Sequence, residues 1–207
     1  MAECQREETG NGESGIGNRA RYTDGRCRAG TPRERCVDRS ARRFPIPHSR
    51  VAVRKATHAD LKVIVALRIA LLREHSHNRI YSRLRADAEA RAAKLFAAQL
   101  TSPNEVIFLA EVGGETVGIL RCIHTTGSPL LEPAQYGYIS SVYVMPKARE
   151  RGVLHTLMAT ADGWCRDRGL DEMRLHNAAD NPLANAAWES LGFEVVEHLR
   201  VRSLKTR

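Results

Sequence analysis

Residues 51–207 are predicted to form one α/β domain on a mixed sheet, and three observations carry that prediction. Strand-like and helix-like stretches follow one another in the order β-α-α-β-β-β-α-β-α-β-β. Helices separate some of the strands and tight turns separate others, so antiparallel hairpins must coexist with a parallel pairing. No stretch of 20–50 residues repeats, and no second apolar region stands apart from the first.

The elements can be justified in order. Residues 51–56 alternate and read as a strand. Thr57 and Asp60 stand in a capping-box relation, and Leu61, Ile64, Leu67, Leu71 and His75 follow at helical spacing. A second helix is predicted over 83–100, with Leu84, Ala88, Ala92, Leu95 and Phe96 on its inward face, before Ser102-Pro103-Asn104 ends it. Residues 106–112 and 116–124 form a hairpin through Gly113-Gly114. After a loop over 125–133 the next strand spans 136–145 and stops at Pro146. A helix over 152–168 turns Leu154, Leu157, Ala161, Trp164 and Cys165 inward and is capped by Gly169. A short strand over 173–177, a helix opened by Asn181-Pro182 and closed by Gly192, and a final hairpin of strands over 193–196 and 199–204 complete the chain.

The first quarter is different. Residues 1–50 hold 11 Arg, no Lys and 7 acids, so half of the net charge of +8 sits there. Apolar residues in it are isolated and follow no period, which predicts a disordered basic tail over 1–49. The abrupt change at Val51 also suggests that the natural chain starts near that valine. Mixed charge without interleaved aromatics does not suit nucleic acid as the partner. The five cysteines form no CxxC pair and no metal pattern, and Cys122 and Cys165 fall in apolar positions as buried thiols. The longest apolar stretch, 63–72, is broken by Arg68 and is too short to span a bilayer. A cytoplasmic protein without metal or membrane contact is the expectation.

Chemistry concentrates in two stretches. The first is Tyr143-Val-Met-Pro-Lys-Ala-Arg149-Glu-Arg151-Gly152-Val153-Leu154-His155. A strand ends at proline, a basic turn with glycine follows, and a helix starts. The unpaired amides and positive dipole end of such a helix favour an anion. The second is Asn181-Pro-Leu-Ala184-Asn-Ala-Ala-Trp188-Glu189-Ser-Leu191-Gly192-Phe193.

Together these stretches resemble the two signatures of the GNAT family of N-acetyltransferases. Arg149 and Gly152 fall in register with the Arg/Gln-x-x-Gly-x-Gly/Ala coenzyme A signature, and Leu154 departs from its last position. In the second signature Trp188 replaces the common Tyr. The resemblance covers roughly residues 51–204 and implies a mostly antiparallel sheet flanked by helices. It implies acetyl transfer from acetyl-CoA to a small-molecule or protein amine by direct attack, with a homodimer left open.

Coenzyme contacts are implied at Val142, Tyr143 and Val144, at Arg149, Arg151, Gly152, Val153, Leu154 and His155, and at Asn181 and Trp188. The proton-transfer groups are less determined. Where relatives often carry a carboxylate, this chain has Ser140 and Ser141. His176, Glu111 and Tyr138 are the catalytic candidates, beside the alternatives His124 and Tyr143. A coenzyme-binding sensor without catalysis is the rival reading, since fold alone does not fix activity.

Overall fold

The computed structural model describes residues 50–204. Five strands, β1 (Ala52–Lys55), β2 (Glu105–Val112), β3 (Glu115–Thr126), β4 (Gln135–Val144) and β5 (Met173–Leu175), form one sheet in sequence order. The first three pairings are antiparallel, and β4 with β5 is parallel. A helix, α3 (Val153–Arg166), makes that parallel connection, as a crossover requires.

Alternation along the strands sends side chains to two cores. On one face Phe108, Leu120, Ile139 and Leu157 pack with Trp164 of α3. On the other, α1 (Leu61–Glu74) and α2 (Ala88–Gln99) bring Ile64, Leu67 and Phe96 against Ile107, Leu109, Ile119 and Tyr143. Cys122 and Cys165 are buried, with their sulfurs 3.6 Å apart. Gly137 is required beside them, because a Cβ there would meet Cys165 Sγ at 2.5 Å.

The entry to α1 follows the expected capping logic. The Asp60 carboxylate accepts the Thr57 amide at 2.8 Å and the Thr57 hydroxyl at 3.0 Å. It also receives two hydrogen bonds from Arg54. At the far end of α3, Gly169 takes φ 67°, the left-handed geometry that ends a helix.

Three expectations are corrected. α2 starts at Ala88, not at 83, because Asp87 draws Arg85 and Arg91 onto its side chain and leaves 83–85 irregular. Leu95 and Leu84 are exposed, at 55% and 40%, so the inward face is Ala92, Phe96 and Gln99. The final hairpin is not formed. Residues 193–204 follow α4 (Pro182–Ser190) without strand pairing, and Val195, Val196, Leu199 and Leu204 are exposed. A strand needs a partner ladder, and β5 offers only three residues of edge. The expected tail over 1–49 and the suggested start at Val51 concern residues outside those described.

Candidate active site

Local irregularity in β4 creates the site. Ile119 pairs with Tyr143 while Arg121 pairs with Ser140, so Ser141 and Val142 together oppose Leu120. This is a β-bulge, and Ser141 carries it at φ 53°. A left-handed conformation at a non-glycine residue costs about 1–2 kcal/mol, which the surrounding sheet must offset. The bulge also resets the alternation, so that Val142 and Val144 pack towards α3 and Tyr143 towards α1.

Pairing of β4 with β5 ends at Ile139 and Leu175, although β4 continues to Val144. The two strands part there, and the β5 side of residues 140–144 has no strand partner among the described residues. An extended amide-bearing chain can pair with such an edge.

The basic turn stands at the end of β4. Gly152, at φ 75°, is the N-cap of α3, and Glu150 before it also has positive φ. The first helical bond runs from Thr156 N to Gly152 O at 3.0 Å, which leaves the amides of Val153, Leu154 and His155 ahead of it. Arg151 is exposed beside them. Leu154 packs partly against the α3-side core, so the side chain in the last signature position points away from full exposure.

Several expected site residues are engaged structurally. Arg149 forms a two-pronged pair with Glu74, at 2.8 and 2.7 Å, and donates to Val144 O at 3.0 Å. It therefore fastens the end of β4 to the end of α1 instead of pointing freely at the turn. Asn181 caps α4 through the Ala184 amide and donates to His75 Nε2 at 3.2 Å. Trp188 packs against the α3-side core and stands edge-on to Phe193 at 5.5 Å.

The catalytic candidates separate clearly. Glu111 pairs with Arg54 at 2.7 Å on the β1 side of the sheet, across β3 from β4. His124 hydrogen-bonds Gln135 at the hairpin end of β3 and β4. Tyr138 and His176, by contrast, come together, with Tyr138 Oη 2.8 Å from His176 Nδ1. Tyr138 precedes the point where β4 and β5 part, and His176 follows the last paired residue of β5. Burial, then Tyr81 and Tyr136, push the Tyr138 phenol above its ordinary range, with Arg121 opposing. The phenol thus stays protonated at neutral pH and can donate to Nδ1 of an imidazole that carries its proton on Nε2.

Sequence reasoning did not single out the charged surroundings of this pair. Arg121 lies on the same face of the sheet and is neutralised by Glu105 at 2.6 Å, with both side chains largely buried. Arg68, half-buried on α1, has no carboxylate partner among the described residues. A visible signal existed, since Arg68 interrupts the apolar run of α1.

Comparison with known proteins gives the family. The model of the acetyltransferase (GNAT) family matches residues 69–193, more than half of the chain. The chain belongs to this family and is an acyltransferase. It is 27% identical over 151 residues to an aminoglycoside N(6')-acetyltransferase type 1 of Stenotrophomonas maltophilia, covering 71% of this chain and 88% of that one. Among solved structures it resembles a predicted acetyltransferase with acetyl-CoA from Clostridium acetobutylicum, with TM-score 0.62 and 16% identity over 75% of this chain and 97% of that one. It also resembles an aminoglycoside antibiotic 6'-N-acetyltransferase from Acinetobacter haemolyticus, with TM-score 0.60 and 24% identity over 75% and 99%. At these identities the solved structures speak for the fold.

Proposed function

We propose that this protein transfers the acetyl group of acetyl-CoA to a primary amine by direct attack, with Tyr138 and His176 relaying the proton. The observation that carries the relay is the 2.8 Å hydrogen bond between two residues at the parting of β4 and β5. The free edge of 140–144 supplies backbone groups for an amide-bearing arm, and the α3 amides with Arg151 supply the anion site. The signatures around Gly152 and Asn181, and the family match, support coenzyme A as the carrier.

The ammonium first loses one proton to solvent to become a nucleophile; transfer from the neutral amine then needs one more proton removed from nitrogen and one added to sulfur. As the amine attacks the thioester carbon, its proton passes to Tyr138 Oη while the phenolic proton passes to His176 Nδ1. The C–N bond forms, the C–S bond breaks, and the thiolate leaves. Its conjugate thiol has a pKa near ~8.5, so it can take its proton from water without a dedicated acid. Trp188, an N–H donor only, is not asked to supply one. His176 is exposed and returns its proton to solvent.

The relatives named as aminoglycoside acetyltransferases support an amine acceptor without fixing which one. The engagement of Arg149 by Glu74 and the presence of Trp188 favour one second reading, a coenzyme-binding sensor. Thiol release from acetyl-CoA across a panel of amines separates the two. The acetyltransferase reading expects at least one amine to raise release well above hydrolysis. Coenzyme binding with no turnover on any amine class would leave the sensor.

A further inference from the structure

We propose that residues 74–78 form a strap across the opening where β4 and β5 part, and that Glu74, His75 and Asp180 are positioning residues that hold this opening ready for coenzyme A. This deepens the proposed function and rests on its placing of the coenzyme in that opening.

Both lips of the opening are gripped by one short stretch at the end of α1. Glu74 grips the β4 lip. Its carboxylate accepts Arg149 Nη2 at 2.8 and 2.7 Å, and Arg149 Nε donates to Val144 O at 3.0 Å. The β5 lip continues through His176 to Asn181 at the start of α4, and the residues just after Glu74 grip that side. Asn78 Nδ2 donates to Asp180 Oδ1 at 3.2 Å, and His77 Nε2 lies 3.8 Å from Asp180 Oδ2. Asn181 Nδ2 reaches His75 Nε2 at 3.2 Å.

The His75 contact has a fixed direction. Asn181 Oδ1 accepts the Ala184 amide at 3.0 Å, so its Nδ2 is the end turned to His75. Leu71 O, 2.9 Å from His75 Nδ1, can only accept. Nδ1 therefore carries the imidazole proton, and Nε2 receives the Asn181 bond. The chain of bonds runs without a mismatch from α4 to the last turn of α1.

Both grips act on braced pieces. Within the strap, Ser76 N donates to Arg73 O at 3.2 Å and Asn78 N to His75 O at 2.9 Å. Asn185 of α4 donates to Ala179 O at 3.2 Å and is bonded by Asn177, which braces 177–181 against the helix. The Tyr138–His176 bond closes the base of the opening. An opening pinned at its base and bridged at its mouth is held to one width, and a cleft already held open as the ligand needs it costs less to occupy. The gripping side chains are substantially exposed, so they contribute little to folding stability.

Calorimetry of coenzyme A on the full chain tests the strap without requiring turnover. Glu74→Ala cuts the β4 grip, and His75→Phe with Asp180→Ala cuts the β5 grip. Each cut should weaken binding by about 10-fold while the melting temperature stays near the parent's. A strap is released by the loss of either end, so both cuts together should also cost about 10-fold, not the roughly 100-fold of independent contacts. Exchanging Asp180→Ala for Asp180→Asn in the second cut should recover part of the loss, since an amide oxygen remains for Asn78. Losses that multiply, or cuts that bind like the parent, overturn the strap and leave acetyl transfer standing. Tighter binding by Glu74→Ala overturns it as well, because Glu74 would then only withhold Arg149 from the coenzyme. A parent that binds no coenzyme A overturns the strap and the coenzyme reading together.

Discussion

On the α3 side of the sheet, Phe108, Leu120, Ile139, Leu157 and Trp164 close into a continuous apolar core. On the α1 side, Ile107, Leu109, Ile119 and Tyr143 share the surface with Arg68, the Glu105–Arg121 pair and Tyr138. The same strands build both faces, so the difference lies in what alternate residues are asked to do. The α3 side holds the helix whose N-terminus must stay fixed. The α1 side gives up apolar area for polar groups.

The comparison should first be visible in stability. Leu157 is fully buried on the α3 side. Leu157→Ala should remove about 2–5 kcal/mol. In thermal unfolding this is a fall of roughly 5–15 °C for a domain of this size. Arg68→Met should leave the melting temperature level or raise it, because it removes a desolvated charge and keeps the volume. Equal losses from the two variants would break the contrast.

The turn at α3 can be sharpened with a pair of variants. A Cβ on Gly152 would meet nothing within 4 Å, so the penalty for a side chain there is the positive φ alone. Asparagine tolerates that geometry best. Calorimetry should show Gly152→Asn binding acetyl-CoA near the parent level. Gly152→Glu, which adds an anion at the helix N-terminus, should bind about 10-fold more weakly, some 1.4 kcal/mol. Equal affinities would place the pyrophosphate elsewhere.

The smallest effect belongs to the Arg54–Asp60 contact at the α1 entrance. The Arg54 guanidinium, helped by Thr57 and opposed by burial, holds the Asp60 carboxyl well below the usual carboxylate range. A lowered folded pKa gives stability that is present above the ordinary range and lost as pH falls through it. Asp60→Asn should therefore lower the melting temperature at pH 7 by the equivalent of about 1 kcal/mol or less, and the gap should narrow below about pH 4. A gap that widens in acid would reverse the sign of this argument.

Local signals in the sequence were strong where structure is local. The β2–β3 hairpin, the Asp60 cap, the α3 periodicity and the Gly169 stop each follow from neighbouring residues. Contacts between distant residues were not legible. Glu74 lies 75 positions from Arg149, and nothing near either one announces the pair. Tyr138 and His176 were separate candidates, and only the parallel pairing of β4 with β5 joins them. Leu95 and the segment 193–204 failed for the opposite reason, because an apolar pattern predicts burial only when a partner surface exists.

The central claim is that Tyr138 moves the proton while the rest of the site holds the substrates. Steady-state kinetics of Tyr138→Phe with the best amine acceptor test it most directly, since the ring is kept and only the hydroxyl is lost. The predicted result is a fall in kcat of about 100-fold, some 2.7 kcal/mol of barrier, with the KM for acetyl-CoA unchanged. A kcat within about 3-fold of the parent, far less than loss of a proton-transfer group removes, would contradict the relay.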